Sequence, residues 1–192
     1  MRPVPSSIAT RLKAAAVPIA ERGLDQTKIE DIAAAAGIPK ATLYYYFAGK
    51  EEILSFLLTD LLTEVAGAVA VACDAPGTAQ ERLVGVMTAQ LQIMATQPAV
   101  CQALMADLGR AGRVPEIAEA LAGAFSTPLQ NLLAEGAADG SLRPVEDAVV
   151  VAGVIFGAVT ITGLHYLVSG VPIDAEGLAK QLADVVLQGL GC

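Results

Sequence analysis

Thr27–Leu54, TKIEDIAAAAGIPKATLYYYFAGKEEIL, decides how the rest of the chain is read. Ile29, Ile32, Ala33 and Ala36 recur at i, i+3, i+4 and i+7, which is one face of a helix. Thr27 stands just before that pattern, where a hydroxyl can accept from the free amides of a first turn. Gly37 stands where a left-handed residue ends a helix. Ile38 and Pro39 make a turn, and Pro39 suits the first position of a second helix because its φ is already helical.

That second helix is KATLYYYF. At helical spacing Leu43, Tyr46 and Phe47 share one side, and Ala41 and Tyr45 point away, flanked by Thr42 and Tyr44. Tyrosine and threonine hydroxyls donate to phosphate oxygens, and their apolar atoms can meet a thymine methyl. Lys40 starts the helix and Lys50 follows its end. This is the layout of a helix-turn-helix whose second helix enters a major groove, with the small Ala41 allowing close backbone approach. The competing reading is a stable helical hairpin whose tyrosines serve ordinary packing.

The charge distribution supports the first reading. The 192-residue chain has a formal net charge of −8. Residues 1–50 carry seven Lys/Arg and four acids, a net +3, whereas residues 51–192 carry five basic and sixteen acidic side chains, a net −11. The basic part coincides with the helix-turn-helix. An acidic remainder facing away from DNA is screened beyond about 10 Å at 0.1 M salt. Cys73, Cys101 and Cys192 are odd in number and share no ligand spacing, so reduced cytosolic thiols are expected, with no disulfide framework, metal or cofactor. No signal peptide is evident, and a cytoplasmic location is expected. With one His and no nucleophile motif or phosphate-binding loop, an enzyme finds little footing.

Thr27, Ile32-Ala33, Ala36-Gly37-Ile38, Thr42 to Phe47 and Lys50-Glu51 together resemble the N-terminal signature of the TetR family of bacterial transcriptional repressors. The resemblance covers residues 8–54 without gaps from Thr27 to Lys50. Pro39 departs from it, replacing a Ser that often caps the recognition helix, and Lys28 takes a place often held by Thr. The DNA-contacting set expected is Thr27, Lys28, Lys40, Ala41, Thr42, Tyr44, Tyr45 and Lys50, with Lys50 on a phosphate at the start of the next helix.

The whole chain reads as all-α, with about nine helices: a three-helix DNA-binding domain over residues 1–47 and a larger ligand-binding and dimerisation domain over 48–192. Residues 1–7 read as a loose arm from which Arg2 could reach a minor groove. Ser6 or Ser7 can cap a first helix that Gly23 ends, with Ile8, Leu12, Ala15 and Ile19 buried. A long fourth helix runs to about Cys73 on Ile53, Leu54, Leu57, Leu58, Leu61, Leu62, Val65 and Val69. Further helices follow from about Thr78 to Thr96, from Pro98 to about Gly109, and from about Pro115 to Ala138. Pro128 should kink the last of these because it removes an amide. Arg110 and Arg113 fall in a predicted loop.

Residues 148–168 contain no formal charge and are long enough to cross a bilayer. Lys and Arg do not cluster at either end, and Glu146, Asp147 and Asp174 flank the run. It reads instead as a helix buried on most sides, between its own core and a second subunit, with Gly153 and Gly157 permitting close approach. The last helix adds an apolar stripe of Leu178, Leu182, Val185 and Val186. Two such helices from each of two chains would make a four-helix bundle, and a dimer reads a near-palindrome. An intramolecular core is the competing reading.

The family resemblance implies a pocket within helices four to seven for an inducer that releases the protein from its operator. Candidate pocket residues are Gln92, Met94, Gln102, Met105, Phe125, Phe156, Thr160, His165 and Tyr166, and the apolar lining points to a small hydrophobic effector. Two alternatives stand beside this: a membrane-tethered DNA-binding sensor, and a DNA-binding regulator controlled by a protein partner.

Overall fold

In the computed structural model, which describes residues 3–106 and 119–190, every regular element is helical. The first predicted helix is built in two pieces, α1 (Ser6–Leu12) and α2 (Ala16–Gln26), joined by a tight turn over Lys13–Ala15. Neither serine caps α1. Pro5 holds the N-cap position, and Ser6 is already helical, its carbonyl accepting from the Thr10 hydroxyl at 2.9 Å. Gly23 breaks α2 as expected, at φ 77 and ψ 158, but the chain makes one more turn before leaving the helix at Thr27. Arg2 lies outside the described residues.

Next come α3 (Ile29–Ala36), α4 (Lys40–Tyr46) and α5 (Lys50–Cys73). Gly37 closes α3 in the left-handed region at φ 62, where a side chain would be strained. Pro39 sits one position earlier than anticipated. It is the N-cap of α4, with ψ 139, and its carbonyl accepts from the amides of Thr42 and Leu43 at 2.9 and 3.2 Å. Ile53, Leu54, Leu57, Leu58, Leu61, Leu62, Val65 and Val69 are all buried along α5.

The chain continues through α6 (Ala79–Thr96) and α7 (Pro98–Ala106). Thr78 caps α6, its hydroxyl accepting from the Glu81 amide. The segment holding Arg110 and Arg113 lies outside the described residues. Beyond it, a π turn over Ala122–Ser126 leads into α8 (Thr127–Asp139). The expected disturbance at Pro128 is therefore displaced upstream. Proline offers no amide to the carbonyl four residues earlier, and the wider π pattern accommodates the missing bond. Then come α9 (Ala148–Ser169) and α10 (Ala175–Leu190). Asp147 caps α9, accepting from the amides of Val149 and Val150 at 2.9 and 3.1 Å, and Asp174 accepts from Gly177 at 3.1 Å at the start of α10.

The described helices group into two compact units, divided within α5 after Leu61. One holds α1–α4, the first part of α5 and most of α7; the other holds the rest of α5, α6 and α8–α10. In the first unit α3 packs on α1, the tight turn, α2 and α4. In the second, α6 is the central helix and touches α8, α9 and α10. Gln90 of α6 donates to the Thr160 hydroxyl of α9 at 2.6 Å, so two buried polar groups satisfy each other across that contact.

By length and composition both α5 and α9 could cross a membrane. In this structure α9 is covered on one face only, at Ala152, Ile155, Val159, Thr160 and Gly163. The opposite face is bare: Val150, Val154, Ile161 and Val168 are 59, 60, 59 and 74% exposed. A Cβ added at Gly153 or Gly157 would meet nothing within 4 Å, whereas one at Gly163 would lie 2.6 Å from the Met94 sulfur.

The turn after α8 is tightly specified. The Leu142 amide donates to the Gly136 carbonyl at 3.0 Å, and Leu142 folds back over the glycine. A Cβ at position 136 would sit 2.6–2.8 Å from Cδ1, Cγ and Cβ of Leu142. Gly136→Ala is expected to lower stability by about 1–3 kcal/mol through overpacking. Urea denaturation should show an earlier midpoint in the second unit.

Candidate nucleic-acid interface and effector cavity

The exposed side of α4 is built by burying the other. Leu43 and Phe47 are 1 and 2% exposed, and the Phe47 ring lies 5.5 Å from that of Phe56 on α5. With that face fixed, helical spacing turns Tyr44 and Tyr45 outward, each 58% exposed. Tyr46 is half-buried and braces Tyr45 edge-on, with ring centroids 4.9 Å apart. Lys40 and Ala41 are exposed and Thr42 half-buried on the same outward side. No side chain caps the start of α4.

Two residues expected at DNA are instead committed to the protein. Thr27 is 0% exposed and neither caps α3 nor faces solvent. Its hydroxyl lies 3.0 Å from the Pro18 carbonyl and 2.8 Å from that of Gly23, tying the start of α3 to α2. Capping of α3 comes from within the helix, where the Asp31 carboxylate accepts from the Lys28 amide at 3.0 Å. The Lys28 side chain stays exposed. The Lys50 ammonium is engaged within the protein. It donates to the carbonyls of Leu24, Asp25 and Thr27 at 2.8, 3.0 and 3.2 Å. An ammonium has three protons to donate, and all three are used. Lys50 thus gathers the carbonyls at the end of α2 and at Thr27, of which that of Leu24 also accepts from the Thr27 amide at 3.2 Å.

Lys40 keeps its place on the exposed edge but has a partner. Its Nζ lies 2.8 Å from Glu30 Oε1, with both side chains about half exposed (51 and 55%). The Lys40 hydrogen bond holds the Glu30 carboxyl below its ordinary range, and the same bond raises Lys40.

The pocket candidates are only partly brought together. Phe125 and Phe156 meet, with ring centroids 4.6 Å apart, and line an apolar cavity of about 230 Å³ with Leu121, Ala122, Ala152 and Gly153. Met94 is buried against Gly163, and Thr160 is occupied by Gln90. Gln92 and His165 face solvent, on the uncovered sides of α6 and α9, and do not line this cavity. Tyr166 is half-buried, as are Gln102 and Met105 on α7. Leu121, Ala122 and Gly153 were not anticipated, although the i, i+4 pair Leu121/Phe125 and the i, i+3 pair Gly153/Phe156 carry the helical signal. A second cavity of about 400 Å³ has a mixed wall, with Asp74, Arg82, Asn131 and Glu135 beside Ala70, Cys73 and Leu132. Arg82 spans it, donating to the Cys73 carbonyl at 3.0 Å and pairing with Glu135 at 2.8 Å. Burial pushes the Cys73 thiol up, so it stays protonated.

A helix-turn-helix with an outward tyrosine-bearing second helix, on a chain whose other unit carries an apolar cavity, defines a DNA-binding transcriptional regulator. Residues 12–55 match the profile described as bacterial regulatory proteins, tetR family, and residues 76–190 match the tetracyclin repressor-like C-terminal domain. The chain belongs to the TetR family and is a DNA-binding transcriptional repressor. It is 30% identical over 192 residues to the HTH-type transcriptional repressor KstR2 of Mycolicibacterium smegmatis, covering 97% of this chain and 93% of that one. The structure of the ketosteroid transcriptional regulator KstR2 of Mycobacterium tuberculosis superimposes with a TM-score of 0.82 at 27% identity, covering 99% of this chain and 97% of that one. FadR from Bacillus subtilis in complex with stearoyl-CoA shares the fold, with a TM-score of 0.77 at 23% identity and coverage of 94 and 98%.

Proposed function

We propose that α4 reads the major groove through Tyr44 and Tyr45, with Thr42 and Ala41 beside them and Lys28 and Lys40 on flanking phosphates. One observation carries this reading: both tyrosines are 58% exposed while the helix's other face is packed shut. Two tyrosines turned outward on the second helix present hydroxyls of the kind that donate to phosphates or bases. Thr27 and Lys50 then act behind the interface, holding α3 and α4 in position. The DNA-binding domain comprises residues 1–47 and the regulatory domain 48–192. The protein works in the cytoplasm by binding rather than catalysis.

The bare face of α9 supports a homodimer through α9 and α10. A row of exposed valines and isoleucine interrupted by open glycines is costly in water and suits a second copy crossing closely. Two recognition helices at a fixed separation then read a near-palindrome. The effector is hydrophobic, of the fatty-acyl or steroid kind associated with the relatives. The Phe125–Phe156 cavity is smaller than the roughly 300–1,000 Å³ of whole-ligand pockets, so it suits one apolar end of such a molecule. An effector that favours the wrongly spaced dimer releases the operator by linkage.

Recovery of bound genomic fragments supplies the operator and its neighbouring genes. Tyr44→Ala and Thr42→Ala should each weaken binding to that operator by about ten-fold or more, on the scale of a lost base or phosphate contact, and leave the dimer intact. Operator binding that survives both substitutions removes α4 as the reading helix. Stearoyl-CoA and a ketosteroid, tested for operator release, separate the two effector kinds.

A further inference from the structure

We propose that Glu30 restrains the protein's affinity for DNA by occupying the Lys40 ammonium on the DNA-facing edge. This rests on the reading that the start of α4 lies against phosphates. Glu30 is in the first turn of α3 and Lys40 is the first residue of α4, so their 2.8 Å contact bridges the two helix starts of the helix-turn-helix. The neighbouring acid, Asp31, has other work: it accepts from the Lys28 amide and lies 3.4 Å from Arg22. Glu30 holds no neighbouring helix besides that of Lys40: its carboxylate otherwise meets its own backbone amide and feels the charge of Lys28. It is exposed, and its carboxylate is turned to the one cation that starts the recognition helix.

The chemistry follows from charge. A free lysine gains a phosphate and releases a counterion from the DNA. Lys40 must first give up a carboxylate. An exposed pair of this kind is weak, so DNA can break it. The displaced carboxylate then stays at the edge as a like charge toward the backbone. Both effects lower sequence-independent affinity, which is the term that decides how long a regulator lingers on the rest of a genome. A carboxylate here thus favours specificity at the expense of grip.

The test uses the full-length protein and a mixed-sequence duplex of about 30 base pairs, since phosphate contacts are sequence-independent. Binding is followed by fluorescence anisotropy over a salt series. Glu30→Gln and Glu30→Ala are both made, because glutamine can still accept from Lys40. Each should bind about three- to ten-fold tighter, alanine at least as much as glutamine, with a log–log salt slope steeper by about one per bound α4. Lys40→Met should bind more weakly, and in that background Glu30→Ala should tighten binding clearly less than in the unsubstituted protein, because only the like-charge effect remains. If Lys40→Met weakens binding but neither Glu30 variant tightens it, the restraint is wrong and the reading of α4 stands. If Lys40→Met changes nothing, both fall together. A gain undiminished in the Lys40→Met background overturns the route through Lys40. Weaker binding by the Glu30 variants makes Glu30 a direct contact and overturns the restraint.

Discussion

Lys50→Met is expected to destabilise the DNA-binding unit by about 2–4 kcal/mol. Each hydrogen bond from an ammonium is worth about 1.5–3 kcal/mol, and the three do not add fully because the freed carbonyls can turn to water. Hydrogen exchange across α2 and α3 should speed up, and the unit should melt earlier. Lys50→Arg should fall between the two, since a planar guanidinium cannot aim at three carbonyls arranged around one ammonium. The measurement that decides the role of Lys50 is the salt dependence of DNA binding by the folded variant at low temperature. A slope equal to that of the unsubstituted protein keeps Lys50 behind the interface. A slope flatter by about one unit would return it to a phosphate.

The second large effect concerns the bare face of α9. Val154→Asp with Ile161→Asp should give a monomer by light scattering, with helical content unchanged. Both positions are about three-fifths exposed within the chain (60 and 59%), so a carboxylate there costs the isolated fold little. In an apolar interface between two copies, four buried carboxylates face each other without partners. Operator affinity should drop by about 10²–10⁴, the usual loss when two linked binding events become independent. A dimer that persists in the double variant places the interface elsewhere on the molecule.

What could be read in the sequence was local. Gly37 at φ 62, the apolar periodicity of α3 and the buried pair Leu43 and Phe47 are set by residues within one or two turns of each other, and the helix-turn-helix follows from them. Thr27 and Lys50 read as DNA contacts because the deciding acceptors are not local: Pro18 lies nine residues from Thr27, and the carbonyls that Lys50 meets lie 23–26 residues away. The Pro18 carbonyl meets Thr27, and those of Leu24, Asp25 and Thr27 meet Lys50, only once α2 has bent at Gly23 and the start of α5 lies against its end. The Glu30–Lys40 pair was missed for the same reason, as ten residues separate two charges that the turn brings together. In the second unit, periodicity found Phe125 and Phe156 but misjudged Gln92 and His165. Gln92 lies two positions from Met94, and only the packing of α9 on α6 decides that Met94 is inside. The long uncharged helix illustrates the same limit: its apolar composition was evident, but not which face its own chain would leave uncovered.

The π turn at Ala122–Ser126 sets how the aromatic wall of the cavity could be altered. An i→i+5 turn holds one residue more than the regular pitch requires, so deleting one residue there would leave a continuous α-helix. The turns on either side would keep their phase, so Leu121 would stay at the wall, while the residues inside the turn, Phe125 among them, would move onto the narrower α-helical path. The breadth of the recess is thus governed by the width of a single turn as much as by side-chain bulk, and a one-codon deletion would reshape it without any substitution in its lining.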